Sequence, residues 1–294
     1  MSLPRFELHE PETFDELFTL AARYGDEARY LAGGTALVLL MHAQLLEPGA
    51  LLALHRLPGL RPIARDNGRL RLGALATHAE LAQSALLREH VPALAEAFAH
   101  VATPRIRNVG TVGGNLAHAD PHQDPPVALM ALGASVVVRG PGGERRLPLD
   151  TFFTGFYETA LQPGELITAV DVPVPGAGAR AAFIKFLSRS ADDYATINVA
   201  VALREAGGQV AEARIAVGCM GPTPFRVPEA EAVLVGHAPD ERRFRLAGEA
   251  AVAAAQPMLD SRGSPAYKRR IMPVVVARAA RQAWAGGAAR SHTR

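Results

Sequence analysis

The sequence predicts an α+β protein built in successive units, and three observations carry the prediction. Strand and helix patterns alternate through the first 57 residues. Two hairpin signals, Asp66-Asn67-Gly68 and Pro141-Gly142-Gly143, then frame a mixed middle. After Gly178, three strand-like runs precede three helical ones. Alternation favours parallel pairing, whereas a run of strands followed by a run of helices favours segregated α+β packing with the sheet on one side.

Taken in order, residues 1–57 form a small α/β unit. Phe14, Leu17, Phe18 and Ala21 fall at helical spacing within Pro11–Tyr24, with Thr13 or Asp15 available near the start. A strand at Ala28–Leu31, a glycine turn, a helix at Ala36–Gln44 and a strand at Ala50–Leu54 follow. In residues 58–175, Arg61–Ala64 and Leu70–Leu72 make the first hairpin. Thr77 caps a helix carrying Leu81, and Pro92–Val101 is a second helix, leading through Thr103-Pro104-Arg105 into a glycine-rich loop. Val127–Leu132 is helical, Ser135–Arg139 and Glu144–Leu147 make the second hairpin, and Leu166–Val172 is a strand. Pro173-Val-Pro-Gly-Ala-Gly178 is rich in breakers and marks a boundary. In residues 176–285 the strands are Ala181–Leu187, Thr196–Glu205 and Gln209–Cys219, and the helices Glu229–Val235, Glu241–Ala255 and Pro265–Trp284. Residues 286–294 read as a frayed tail.

Bulk properties narrow the function. With 31 Lys and Arg against 29 Asp and Glu, the chain carries a net charge of +2 and no basic block, so nucleic acid is not an expected partner. No apolar run reaches the length of a membrane span, and MSLPRFELHEP lacks the charged-then-apolar pattern of a signal peptide. The single cysteine, Cys219, excludes a disulfide framework and any iron–sulfur cluster held by this chain alone. The expected compartment is the cytoplasm.

Two glycine stretches carry the chemistry. In Asn108-Val-Gly-Thr-Val-Gly-Gly-Asn115, three glycines within five residues let backbone amides approach a ligand with no Cβ in the way. Amides turned inward in this manner form a nest that suits a diphosphate. Downstream, His118, Asp120, His122 and Asp124 alternate, so in extended chain they share one face, and Pro121, Pro125 and Pro126 are read as excluding a helix. One GxxGG alone is more often a plain turn. The second stretch, Tyr30-Leu-Ala-Gly-Gly-Thr-Ala-Leu37, shifts the balance because it joins a strand to a helix, the context that holds phosphate. Neither stretch fits GxGxxG or GxxxxGK[ST], which disfavours a Rossmann or P-loop route.

With AGGTAL, TVGGNLAHADPHQD, KFLSRSADDYA, GPTPFR and DSRGSPAYKRR in that order, the chain resembles, over nearly its whole length, the FAD-binding (medium) subunits of molybdenum hydroxylases. The likeness is to the carbon monoxide dehydrogenase medium chain and xanthine dehydrogenase FAD-binding subunit type. It implies a two-lobed vanillyl-alcohol-oxidase-type (PCMH) FAD-binding domain, with lobes at 1–57 and 58–175. A C-terminal domain of three-stranded sheet plus helices follows at 176–285. It also implies a large molybdopterin-binding subunit and a small [2Fe-2S] subunit as partners, assembled as a dimer of heterotrimers.

Carried over by position, the resemblance implies that Tyr30, Leu31, Ala32, Gly33, Gly34, Thr35, Ala36 and Leu37, with Thr111, Val112, Gly113, Gly114 and Asn115, cradle the FAD diphosphate through backbone amides. His118 and Asp120 fall beside the ribityl or phosphate region. Asp124 matches an acidic position at the FAD site, Val101, Ile167 and Lys185 match further cofactor contacts, and Tyr194 falls near the isoalloxazine. Ala36 replaces a frequent acidic residue, and Ser190 replaces an arginine that would bear on acceptor contacts.

Blander readings stand beside these. The His118/His122 and Asp120/Asp124 set suits divalent ions, but the sequence marks no further distant ligand, so no metal is expected. Lys185 reads equally as a solvated residue of a half-buried strand, Tyr194 as strand packing, Tyr267-Lys-Arg-Arg270 as a solvated helix face and Cys219 as a buried hydrophobe. No nucleophile–base pair stands out, so no catalytic side chain is assigned. The expected role is to pass electrons from partner [2Fe-2S] clusters through FAD to an external acceptor. The rival classes are a standalone FAD-dependent oxidoreductase of the same fold and a non-catalytic nucleotide-binding module.

Overall fold

The structure, a computed structural model, describes residues 3–286, so all but the first residue of the expected tail lies outside the described residues. The N-terminal unit comprises β1 (Glu7–His9), α1 (Phe14–Tyr24), β2 (Ala28–Leu31), α2 (Leu37–His42) and β3 (Ala50–Ala53). Its strands pair in parallel in the order β1-β3-β2, as the alternation predicts. Thr13 caps α1 by accepting the Glu16 amide. The central strand β3 is buried at all four positions, as expected for a strand covered on both faces. Strand β1 was not anticipated; three residues are too few to show a period.

The middle unit opens with the hairpin of β4 (Ile63–Asp66) and β5 (Arg69–Gly73). Six short helices follow: α3 (His78–Gln83), α4 (Ala85–His90), α5 (Pro92–Ala99), α6 (Pro104–Arg107), α7 (Val112–His118) and α8 (Pro125–Ala131). The chain then returns through β6 (Ser135–Gly140), β7 (Gly143–Pro148), the small ribbon of β8 (Phe153–Gly155) and β9 (Glu158–Thr159), and β10 (Leu166–Pro173). The five long strands form an antiparallel sheet in the order β4-β5-β10-β6-β7. Thr77 starts α3 with a reciprocal capping box to Glu80.

Here one expectation is corrected. The stretch from Val112 to Ala131 is two helices with a short turn between them: the second includes the expected helix at Val127, while the glycine-rich segment and His118–Asp124 are not extended chain. Pro125 and Pro126 occupy the first turn of α8, where a missing N–H costs no hydrogen bond. His118, Asp120, His122 and Asp124 therefore do not share a strand face. His118 ends α7, Asp124 precedes α8, and Ala119 takes a left-handed conformation, φ 54°, that turns the chain between them.

The C-terminal unit is an antiparallel sheet of β11 (Ala179–Phe186), β12 (Ile197–Ala206), β13 (Gln209–Gly218) and β14 (Phe225–Arg226), followed by α9 (Pro228–Leu234), α10 (Glu241–Ala251) and α11 (Pro265–Trp284). The fourth strand, only two residues long, is added to the three expected. The sheet is also covered on both sides rather than one. Val199, Val201, Ile215 and Val217 pack with α10 and α11, while Phe183, Ala200 and Ala216 join the core of the middle unit, where α5 and α8 lie against the sheet. The near-unbroken burial of β12 and β13 follows.

At Gly248 α10 meets the backbone of α11: a Cβ there would overlap the Pro273 carbonyl oxygen. Alanine would add about 1 kcal/mol of helix propensity, but forcing two backbones apart costs about 1–3 kcal/mol. Gly248→Ala is therefore expected to lower the thermal midpoint. Gly142→Ala, where an added Cβ meets nothing within 4 Å, is expected to leave it unchanged. A differential scanning calorimetry comparison checks both.

Candidate functional site

The two glycine loops meet. A Cβ on Gly33 would overlap the carbonyl oxygen of Val109, so the turn after β2 touches the backbone that leads into α7. Gly113 is equally tied to its surroundings. Its amide donates to Ala74 O at 2.9 Å, and an added Cβ would come within 2.8 Å of that oxygen and 2.7 Å of the Ala74 methyl. Gly34 supplies a φ of +70°. Gly114 differs: its missing Cβ faces Ala32 across the junction at 3.6 Å, with Thr111 Oγ1 at 3.0 Å. It gives the second loop a bare wall turned toward the first.

The loops differ in what their amides can offer. Val112, Gly113, Gly114 and Asn115 donate to Ala76 O, Ala74 O, Thr111 Oγ1 and Thr111 O, so each has a protein acceptor. Among the described residues, the amides of Gly33, Gly34, Thr35 and Ala36 have no backbone or side-chain acceptor. Asn115 Oδ1 is buried without a partner, a cost that a ligand donor would relieve. The arrangement fits a diphosphate, with unspent donors on one loop and a Cβ-free wall on the other. His78 lies under Gly110 with Nδ1 unpartnered, and burial pushes its pKa down to about 4.

The far end of α7 carries polar and aromatic side chains. His118 lies 5.1 Å from the Tyr157 ring, centroid to centroid, and burial lowers its pKa. Asp120 accepts from the His122 amide and faces His122 Nδ1, both at 2.9 Å. Burial pushes the Asp120 carboxyl up, but the bonds from His122 outweigh it and hold the pKa at about 2. Burial first and the Asp120 charge second push both Tyr194 and Tyr157 upward, Tyr157 to about 12. The His122 and Tyr194 rings are 5.8 Å apart.

Beneath α8 lies a buried ion pair. Lys185 Nζ, on a side chain 2% exposed, sits 2.8 Å from Asp124 Oδ2, whose side chain is 4% exposed. Lys185 also donates to His100 O at 2.8 Å, beside Val101, and Asn198 Nδ2 donates to Asp124 Oδ1 at 2.9 Å. The solvated-lysine reading is thus incorrect. Burial raises the Asp124 pKa, with Lys185 and Asn198 opposing the rise. Cys219 lies buried against Asn198 Oδ1 at 3.8 Å, and burial pushes its thiol well up, which keeps it protonated and inert.

The expected residues therefore fall into three groups that adjoin along α7 and α8, with two outliers. The Tyr30 hydroxyl donates to Gly164 O, away from the loop junction, and Ile167 is buried in the main core on β10. The sequence reading missed Asn198, Tyr157, Asp260, Arg262 and Lys268. A lone asparagine in the apolar run Ile197–Leu203 was a legible signal. Lys268 was read as part of a solvated helix face, yet its side chain is 1% exposed and paired with Asp260 at 2.6 Å. Among the described residues, no group of three His, Cys, Asp or Glu side chains is placed to hold a metal ion.

Residues 4–175 match the FAD-binding domain in molybdopterin dehydrogenase, and residues 182–283 match the CO dehydrogenase flavoprotein C-terminal domain. The carbon monoxide dehydrogenase medium chain of Hydrogenophaga pseudoflava is 36% identical over 96% of this chain and 98% of its own. The 6-hydroxypseudooxynicotine dehydrogenase complex subunit alpha of Paenarthrobacter nicotinovorans is 36% identical over 95% and 94%. Among solved structures, a chain of the Hydrogenophaga pseudoflava carbon monoxide dehydrogenase superposes with a TM-score of 0.95 at 38% identity, covering 98% of this chain and 100% of that one. A chain of quinoline 2-oxidoreductase from Pseudomonas putida 86 does so with a TM-score of 0.91 at 31% identity, covering 97% and 99%. The two glycine loops, the buried network and these matches agree: the chain belongs to the FAD-binding medium-subunit family of the molybdenum hydroxylases, of the carbon monoxide and xanthine dehydrogenase type, and its cofactor is FAD.

Proposed function

We propose that this chain passes electrons from [2Fe-2S] clusters of a small partner subunit through FAD to an external acceptor, within a complex whose large subunit holds molybdopterin. The junction of the two glycine loops carries the proposal, because its geometry suits a diphosphate at one end of a helix whose other end is lined with aromatic side chains. When bound, the flavin supplies the capacity to accept electrons singly or in pairs. The work of the protein is to bind and orient. Gly33, Gly34, Thr35 and Ala36 would offer their amides to the diphosphate, and Gly114 would leave it room. The Asp124–Lys185 pair and Asn198 would hold the start of α8 against β11 and β12, which keeps the floor of the site dry and rigid. A buried pair of this kind adds little net stability but fixes direction.

The proposed assembly is a dimer of heterotrimers, in the cytoplasm, and the proposed divisions of the chain are 1–57, 58–175 and 176–285. Among the described residues no helix is long and apolar enough to cross a membrane. Purification of the tagged chain from its native source should bring down one large and one small chain. Recovery of the chain alone, fully active, would favour the standalone oxidoreductase, and recovery as a colourless protein the non-catalytic module.

Two substitutions test the cradle. Gly114→Val places a branched side chain between Thr111 and Ala32, so FAD occupancy should collapse while the C-terminal helices keep their circular dichroism; full flavin content in this variant would remove the loop from the cradle. Cys219→Ala should leave the visible flavin spectrum unchanged. Cys219 is buried and no histidine stands in a context that demands a link, so the binding is expected to be non-covalent: heat-precipitated protein should release all its yellow colour into the supernatant.

A further inference from the structure

The segment Asp260-Ser-Arg-Gly-Ser-Pro-Ala-Tyr-Lys268 is remote in sequence from both glycine loops, yet it grips the side chains at the far end of α7. It does so with two arms. In the first, Lys268 Nζ donates to Asp260 Oδ2 at 2.6 Å, the same oxygen lies 3.3 Å from His122 Nε2, and His122 Nδ1 meets Asp120 Oδ1 at 2.9 Å. In the second, the Arg262 guanidinium donates to Asp193 Oδ1 at 2.8 and 3.1 Å and lies 5.0 Å over the Tyr194 ring. The arms share a root, because Asp260 Oδ1 accepts the Arg262 amide at 2.8 Å. Thr196 Oγ1 closes the bracket by donating to Arg262 O at 3.3 Å.

Anchoring α11 alone would not call for this arrangement. Burying an ammonium on one carboxylate costs desolvation that an apolar pair of the same shape would avoid, so what the charges contribute is direction. Tyr194 needs direction from somewhere. It is 42% exposed and lies between β11 and β12 on a stretch with no helix or strand. Arg262 is suited to hold it, since a planar guanidinium can stack on a ring and bond a carboxylate at the same time. The place it holds is defined by α7. Seven residues at the helical rise span about 10 Å from the diphosphate loop to His118. At that distance the rings of His118, Tyr157 and Tyr194 lie near the Asp120 carboxylate, a lining suited to a planar heterocycle with hydrogen-bonding edges.

We propose that Arg262 and the Asp260–Lys268 pair are positioning residues that fix Tyr194 and the Asp120–His122 pair at the ring end of the flavin. The proposal rests on the FAD reading above and adds to it that the C-terminal unit sets the ring environment while the glycine loops set the phosphate.

The test uses the full chain loaded with FAD, in wild-type form and as Arg262→Ala, Arg262→Lys, Tyr194→Ala and the Arg262→Ala/Tyr194→Ala double variant, read by FAD Kd and by visible circular dichroism of the bound flavin. Arg262→Ala should weaken FAD by about three- to tenfold and change the visible dichroism, with Arg262→Lys between it and the wild type. In the Tyr194→Ala background, Arg262→Ala should add little to either reading. Unaltered dichroism in Arg262→Ala, or an effect as large without Tyr194 as with it, would overturn the proposal. So would loss of all FAD from both Arg262 variants, which would make the segment a support of the fold. A wild-type chain that takes up no FAD would instead remove the reading on which the proposal rests.

Discussion

Gly33 has to pass so close to the Val109 carbonyl that no side chain fits between them, and this backbone-to-backbone approach fixes where the rest of the site can lie. It presses the turn after β2 against the segment that enters α7. The start of α7 is in turn locked to the middle sheet by Gly113 against Ala74, and Ala74 itself donates to Thr168 O on β10. A cradle made this way is rigid because it consists of main chain packed on main chain. Side-chain rotamers have little part in it, which suits a ligand group that is recognised by charge and hydrogen bonds alone.

From that fixed start the site is a matter of helix length and buried charge. Helix α7 carries the chain to His118, the left-handed turn at Ala119 presents Asp120, and Asp124 delivers the chain into α8 over Lys185 and Asn198. Each buried charge has a partner: Asp120 has His122, Asp124 has Lys185, and Lys268 has Asp260. Lys185 on β11, Asn198 on β12 and Asp260 in the segment before α11 reach Asp124 and His122, so the polar floor of the site is built across the boundary between the middle and C-terminal units. A packed apolar boundary would tolerate small slips. A boundary held by polar contacts at 2.8–3.3 Å does not.

Much of this was legible in the sequence. Strand Ala28–Leu31, the helix capped by Thr77, both hairpins and the helix Pro265–Trp284 follow from period, cap and turn chemistry, and the structure has them at or near the expected bounds. The double glycine signature pointed to two loops that the fold brings together. What it could not convey was the division of labour between them, because whether an amide is spent depends on an acceptor such as Ala74 O or Ala76 O that is remote in sequence. The prolines at 121, 125 and 126 were read as breakers because their local effect is the same whether they exclude a helix or begin one. The placement of Arg262 and Lys268 was hidden for a further reason. Lys268, on α11, belongs to a charge pattern that favours solvent by default, Arg262 lies in the turn before that helix, and only the third dimension sets Asp260 and Tyr194 beside them.

In the function proposed above, this chain relays electrons and does not itself oxidise the substrate of the complex. The most direct measurement is anaerobic flavin absorbance in two samples: the FAD-loaded chain alone, and the same chain assembled with its iron–sulfur and molybdenum partners. Alone, it should bleach with dithionite and stay oxidised with carbon monoxide, purines, aldehydes or N-heterocycles; assembled, the physiological substrate should bleach it. Bleaching of the lone chain by any such substrate at a useful rate would contradict the account and make the chain a complete oxidoreductase.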